Sequence, residues 1–328
     1  MKLKQLECII FNVEHGFCAF IKSPNNYGLM IDCGRGAHFS PIKWIRKNYN
    51  FNCQNITYFE GRRIAELIIT HLHVDHFSDV GSFYSKRGDK PKILCRDKKI
   101  LKFIDQKINE ENLEQRKELL KLFKKFQEDY SEKLTTNVDW GFDLDIGQIS
   151  YNDAKRISSD RDEIINNRSY IIGIGYANKK IIFPGDILEK GWEEAFKSEA
   201  IKKILEDTNF FITSHHGLKS GFHPDILKYT GKPDIYIVSA KRGSETFYDF
   251  YSKLENSNGH LVNGDEVISR VISTKNQSKS IKIVIKKNGI TSIETMTTED
   301  NLNQGQEKIV YRRTKKAISD LVFNYHNK

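Results

Sequence analysis

Short apolar runs that end abruptly in polar clusters recur along this 328-residue chain. Leu67-Ile68-Ile69, Phe210-Phe211-Ile212, Ile181-Ile182-Phe183 and Ile93-Leu94-Cys95 are too short for stable helices and consist largely of strand-favouring or apolar side chains, so they predict buried strands. The pattern changes over about 97–133, where Ile100, Phe103, Ile104, Ile108, Leu113, Leu120, Phe123 and Phe126 recur at helical spacing among Lys and Glu. Asn109-Glu110-Glu111-Asn112 separates two helices there, and plain core packing is the simplest role for the pair; a clamp beside a cleft is the functional alternative. Leu188, Trp192, Ala195, Phe196, Ile201 and Ile204-Leu205 predict a further helical stretch. A polar break at Thr298-Glu299-Asp300-Asn301 divides a body, 1–298, from a basic, partly amphipathic helical tail, 299–328, through Ile309, Ala317, Ile318, Leu321 and Val322.

The polar residues at the strand ends bring in chemistry. Directly after Leu67-Ile68-Ile69 comes Thr70-His71-Leu72-His73-Val74-Asp75-His76, which places His71, His73, Asp75 and His76 within six residues. Imidazole and carboxylate together suit Zn²⁺, Mn²⁺ or Fe, and a relaxed turn lets His71 and His73 address one metal while Asp75 and His76 address a second. The bland alternative is a polar loop whose histidines cap a helix near Asp75, which the spacing disfavours. Asp186 follows Gly185 at another strand end, where a turn aspartate is the ordinary reading. His215-His216-Gly217 ends the run Phe210-Phe211-Ile212, a second strand tip with imidazole. Two such tips can face each other across a sandwich.

Five stations, in order, resemble the metallo-β-lactamase superfamily, and within it the soluble hydrolase domain of ComEC-type DNA-uptake proteins. They are Phe11-Asn12-Val13-Glu14-His15-Gly16 leading into Leu29-Met30-Ile31-Asp32-Cys33-Gly34; the histidine motif; Asn166-Asn167-Arg168-Ser169-Tyr170; Ile181-Ile182-Phe183-Pro184-Gly185-Asp186; and Thr213-Ser214-His215-His216-Gly217-Leu218-Lys219-Ser220 before the strand Ile235–Ala240. The resemblance runs from about residue 6 to about residue 290. It implies an α/β fold, a four-layer αββα sandwich with a helical insertion and the C-terminal helical tail. It also implies two divalent metal ions, Zn²⁺ or Mn²⁺, with Asp186 bridging them and one of His215 and His216, His216 favoured, completing the second site. Many members carry another histidine at the third station, where this chain offers Asn166, Asn167 and Ser169. With Asn167 as ligand the first site is expected to be weaker and more tolerant of Mn²⁺. Phe17 stands where the branch usually has an acidic residue, and Leu218 where it usually has Ser.

A metal pair with a bridging carboxylate suits phosphoryl displacement, with Asp75 orienting the nucleophile, His215 protonating the leaving oxygen or binding a phosphate oxygen, and Lys219 neutralising developing charge. Lys219 matches the lysine of the branch's HHGSK, against the plain reading of a solvated loop lysine. The net charge of +9 is compatible with a polyanionic partner, DNA foremost, although biased codon use explains a Lys-, Asn- and Ile-rich chain equally well. Basic clusters at Lys98-Lys99, Lys121 with Lys124-Lys125, Lys202-Lys203, Lys286-Lys287 and Arg312-Arg313 are scattered along the sequence. Cys8, Cys18, Cys33, Cys53 and Cys95 have no framework spacing, and no apolar run is long enough to span a membrane, so the reading is a cytoplasmic enzyme without a membrane partner. The leading function is a metal-dependent phosphodiesterase acting on DNA. Its competitors are a lactone, carbon-ester or thioester hydrolase on the same metals, and a metal-stabilised subunit of a multi-protein, possibly defence, system that docks through the insertion or the tail.

Overall fold

The computed structural model describes residues 4–49, 64–85, 90–130, 138–242, 244–246, 251, 257–265, 268–275 and 279–298, all within the unit Met1–Thr298. The tail expected over 299–328, with Arg312 and Arg313, lies outside the described residues, as do Cys53 and the last residues of the expected insertion. The strands are β1 (Gln5–Ile10), β2 (Ala19–Lys22), β3 (Gly28–Ile31), β4 (Glu66–Ile68), β5 (Ile93–Cys95), β6 (Asp143–Gly147), β7 (Ile171–Tyr176), β8 (Lys179–Phe183), β9 (Phe210–Ile212), β10 (Ile235–Val238), β11 (His260–Leu261), β12 (Ile268–Ser269), β13 (Val271–Ser273), β14 (Ser280–Lys286) and β15 (Thr291–Met296). The helices are α1 (Pro41–Asn48), α2 (Phe103–Glu110), α3 (Glu114–Glu128), α4 (Tyr151–Ile157), α5 (Arg161–Asn167), α6 (Glu189–Ala195), α7 (Glu199–Leu205) and α8 (Ile226–Thr230).

Alternation along the strands explains the layers. On β1, Leu6, Cys8 and Ile10 point to one face and Ile9 to the other, and all four are buried, so the sheet is covered on both sides. One sheet runs β15-β14-β1-β2-β3-β4-β5 and the other β13-β10-β9-β8-β7-β6. Between them Cys8, Ile21, Leu29 and Ile68 meet Ile172, Ile181, Phe210 and Ile237 in one apolar layer. Outside the first sheet Ile9, Phe20 and Met30 pack with Trp44 of α1 and with Ile104, Leu120 and Phe123 of the insertion. Outside the second, Ile182, Phe211 and Tyr236 pack with Trp192 of α6 and Leu205 of α7. The result is a four-layer αββα sandwich.

The insertion forms two helices, α2 and α3, broken at Glu111-Asn112-Leu113. Leu113, read as an apolar helical position, is 60% exposed because it sits in that break, at the N-cap of α3. Phe123 stacks on Phe77 with ring centroids 3.9 Å apart, which seats α3 directly behind the histidine motif. The stretch after Asp186 is likewise two helices, α6 and α7, with Ser198 capping the second.

A buried ion pair ties the start of the insertion to the segment before β7. Arg168 Nε donates to Asp97 Oδ2 at 2.6 Å, and the guanidinium also reaches the Ile149 carbonyl. Both side chains are almost fully buried. Removing one partner strands the other's charge in the interior, which costs about 3–5 kcal/mol. Arg168→Met is therefore expected to lower unfolding stability by that amount, read as an earlier urea midpoint with an unchanged slope. A loss of under about 1 kcal/mol, the scale of a solvated pair, would remove this pair from the fold's supports.

Candidate metal centre

Parallel pairing places the histidine motif, Asp186 and the His215-His216 pair at strand ends. β3 and β4 run parallel, as do β8, β9 and β10, so the segments after β3, β4, β8 and β9 leave their sheets at C-terminal edges. β7 is antiparallel to β8, and the segment before it therefore reaches the same end as Asp186. Gly185 sits at φ +61°, and a Cβ there would lie 2.7 Å from Ser169 Cβ, so glycine lets this turn press against the third station. The Ser169 hydroxyl in turn accepts the Asp186 N–H at 2.9 Å. His215 and His216 both lie in the left-handed region, at φ 49° and 56°. Non-glycine residues pay for that conformation, and two in succession mark a turn held by its surroundings.

Three imidazoles converge with their Nδ1 atoms engaged behind them. His76 Nδ1–H donates to Asp32 Oδ2 at 2.7 Å, and His216 Nδ1–H donates to the Ser239 carbonyl at 3.2 Å. Thr70 Oγ1 donates to Asp32 Oδ2 at 2.7 Å and so offers its lone pairs to His71 Nδ1, 3.1 Å away. Each ring is thereby oriented so that its Nε2 turns to the centre. His76 Nε2 and His216 Nε2 stand 3.4 Å apart, and Asp186 Oδ2 lies 3.4 Å and 3.2 Å from them and 3.7 Å from His71 Nε2. Asp75 Oδ2 is 3.3 Å from His216 Nε2. His71 Nε2 is buried with no hydrogen-bond partner. Ligand atoms gathered this closely, with an orphaned nitrogen beside them, fit divalent cations. Among the described residues, two overlapping groups can hold an ion, His71–His76–Asp186 and Asp75–His76–His216.

The electrostatics agree. Burial favours neutral histidine, yet the carboxylates of Asp186, Asp32 and Asp75 together hold the His76 pKa well above its usual value. Burial likewise opposes protonation of His216, and Asp186 and Asp75 overcome it, raising the pKa to about 10. Burial pushes the Asp186 and Asp75 carboxyls up, but their histidine neighbours hold both well below the carboxylate range. His71 goes the other way, lowered by burial and then by the adjacent His76 charge. Protons thus occupy the places where a cation would neutralise the cluster.

A pocket of about 480 Å³ opens onto this cluster. It is lined by His73, Asp75, Asp186, His215 and His216 on the motif side and by Lys107, Glu110, Glu111, Arg116, Arg161, Asp162 and Asn166 on the helical side. The His73 ring stands edge-on to that of His71, with centroids 4.9 Å apart, and its Nε2 lies 3.5 Å from Asp162 Oδ1. His215 faces the pocket with Nδ1 held 2.8 Å from the Ser220 hydroxyl.

Two of the expected site residues, Asn167 and Lys219, lie outside the pocket lining. Asn167 does not face the pocket, because its Oδ1 accepts the Leu188 N–H at 3.1 Å and so anchors the chain entering α6. Asn166 lines the pocket instead, and its Oδ1 is buried without a partner. Lys219 is exposed and outside the pocket lining, since the tight turn Lys219–Gly221 carries it outward while Leu218 takes the lining position. Phe17 is buried behind His76, with ring centroids 6.4 Å apart.

Asp32, His15 and Asp162 escaped the sequence reading as members of the site. His15 Nε2 lies 3.6 Å from Asp75 Oδ2 at the pocket mouth. A histidine preceding glycine in the first station was the available signal for it, and the spacing of Asp162 to Asn166 on a helix was the signal for Asp162. Cys8, Cys18 and Cys33 are buried free thiols and Cys95 is half-buried; none belongs to either ion-holding group.

Residues 12–146 match a family model described as Metallo-beta-lactamase superfamily. No curated protein matches the chain in sequence. Among solved structures, it is similar to unliganded yeast PDE1 at 13% identity, covering 75% of this chain and 90% of that one with a TM-score of 0.38. A diphosphatase from the PhnP family is similar at 9% identity, over 87% and 99% of the two chains, with a TM-score of 0.44. A long form RNase Z from yeast is similar at 14% identity, over 88% of this chain and 42% of that one, with a TM-score of 0.37.

The shifted histidines predict how stability depends on pH. In the metal-free protein, the contribution from His76 and His216 is fully present below their unfolded pKa of about 6.5 and is lost as pH rises through their raised folded values. His71 and His215, both lowered, contribute the opposite slope below that point. The melting temperature of the chelator-treated protein is expected to peak near pH 6.5 and to fall toward pH 10, while the metal-loaded protein separates from it progressively, because ligation requires those protons to leave. Parallel curves with and without chelator would contradict the centre.

Proposed function

We propose that this protein is a metal-dependent phosphodiester hydrolase of the ComEC-like kind, with nucleic acid, DNA foremost, as its substrate class. The observation that carries this reading is the convergence of His71, His76 and His216 Nε2 on Asp186, with every Nδ1 engaged from behind. The residues to hold two divalent ions are Asp75, His76 and His216 on one side and His71 with His73 on the other, with Asp186 between. Bound there, such ions supply positive charge to phosphoryl oxygens and make water acidic enough to ionise near neutral pH.

The chain's own groups do the rest. Asp75, partly open to the pocket, orients the attacking water and accepts its proton. His215 has its pKa lowered, chiefly by burial, and is neutral at pH 7, which suits hydrogen bonding to a phosphate oxygen. Lys107, Arg116 and Arg161 face the pocket, each near a carboxylate: Asp162, Glu111 and Glu110. Five carboxylates against three cations line it, so an anionic substrate depends on the metal charge for attraction. Only Val74, Leu120 and Leu218 are apolar among the lining residues, a poor surface for an acyl chain and the reason a lactone or thioester is disfavoured. The volume is that of a small-ligand pocket, so one phosphodiester and its adjoining nucleoside enter at a time.

The basic surface contributes little at this site. Lys121 and Lys124 pair with Glu118 and Asp105, and Lys202 pairs with Glu199. Exposed pairs of this kind are worth little individually, but they cancel the charge that would track a phosphate backbone.

The test is a panel of single-stranded and duplex DNA, RNA, a bis-nitrophenyl phosphodiester, a lactone and a thioester, each with Mn²⁺ and with Zn²⁺. Phosphodiester cleavage is expected, and Asp186→Asn is expected to reduce it more than about a hundredfold, since it removes the shared carboxylate. Lys219→Ala should retain nearly full turnover, because its side chain lies outside the pocket. Efficient lactone or thioester hydrolysis without any phosphodiester cleavage would overturn the reading.

A further inference from the structure

We propose that Asp162 of α5 completes the ligand set around His71 and His73, together with Asn166, and that the helical insertion holds it there through Lys107; this rests on the metal-centre reading above. Asp162 and Asn166 are one helical turn apart, so they share a face of α5, and both line the pocket. Asp162 Oδ1 is 3.5 Å from His73 Nε2, the imidazole outside both compact ion-holding groups. Asn166 is 7% exposed, and its Oδ1 is a buried acceptor with no donor. A buried acceptor without a donor, one helical turn from a carboxylate that reaches a histidine, is a donor set that suits a cation. Asn167, the next residue, is already committed to Leu188 N–H.

Two ion pairs fix the carboxylate from the other side. Lys107 Nζ lies 2.5 Å from Asp162 Oδ1, and Arg161 Nη1 lies 2.5 Å from Glu110 Oε2. The pairs join positions one turn apart on α2 to adjacent positions on α5, and they set the rotation of α5 about its axis. Ile104, buried under the first sheet, anchors α2 in turn. Lys107 is thus a positioning residue. Its substitution acts on the metal through Asp162, as outer-shell partners do. With a carboxylate and an amide beside two imidazoles, this half of the centre is oxygen-rich and accommodates Mn²⁺ well.

The experiment is metal binding by the full chain, freed of metal by chelator and titrated with Mn²⁺ by calorimetry, with elemental analysis and Mn²⁺ electron paramagnetic resonance. The wild type is expected to bind two equivalents with a spin-coupled signal. Asp162→Ala and Asn166→Ala should each retain one tight equivalent, weaken the other by more than about tenfold, and give an isolated-ion signal. Lys107→Met should weaken the same equivalent by about tenfold. Asn167→Ala should lose thermal stability yet bind both equivalents as the wild type does, which separates ligation from fold maintenance. Two equivalents at unchanged affinity in Asp162→Ala and Asn166→Ala, or loss of both equivalents in either, overturns the proposal. A wild type that binds no metal instead defeats the metal-centre reading on which it rests.

Discussion

Asp32 is wholly buried, and its two oxygens take hydrogen bonds from the Thr70 N–H, the Thr70 hydroxyl and His76 Nδ1. A carboxylate in the interior costs several kcal/mol in lost hydration, of order what a full set of charge-assisted hydrogen bonds returns. The return here is also geometric. Because one carboxylate binds both the residue before His71 and the ring of His76, it sets the direction of the motif and the tautomer at its far end. The orientation of the remaining ligands follows from this arrangement, since His76 Nε2 is the atom common to both ion-holding groups.

The cluster in front of Asp32 is balanced only with positive charge at its middle. Asp75 and Asp186 remain ionised, and His76 and His216 hold protons, because opposite charges sit within 4 Å of one another. A divalent cation answers the same demand with more charge in less space. Surrounding backbone takes up the cost: Asp32, Glu14, His215 and His216 all have positive φ, at loops that bound the centre. Such conformations persist only where packing over-determines them, here through Phe17 behind His76 and Phe123 behind Phe77.

The helical insertion is both core and wall. Its apolar face closes the outer layer of the first sheet, and its polar edge supplies Lys107, Glu110, Glu111 and Arg116 to the pocket. One rigid packing face therefore holds the other in register, and the two readings of this segment, as core and as clamp, describe opposite sides of the same helices.

The strands, the helix pairs and the motif were legible in sequence because they depend on local rules, whereas the sandwich that joins them was implied by the resemblance. Apolar runs of strand length, two helices at 3.6 periodicity and four ligands packed after a strand are all properties of neighbouring residues. Asp186 and the His215-His216 pair stood at strand tips, but a turn aspartate was the ordinary reading of Asp186, and the ligand roles came from the resemblance. What tertiary structure decided was direction. Asn166 and Asn167 differ by a rotation of about 100° on one helix, and only the Leu188 N–H determines which amide turns inward. Leu218 lines the pocket and Lys219 does not, because the tight turn Lys219–Gly221 carries the lysine outward. Asp162 lies 86 or more residues from the motif it joins, brought there by the insertion's ion pairs. The net charge of +9 carried no address, since charge acts through space and Lys121 and Lys124 pair with Glu118 and Asp105 outside the pocket lining. Sequence thus set which chemistry the chain contains, through contacts between neighbours. The fold set which atoms meet, because facing, tautomer and charge balance depend on residues distant along the chain.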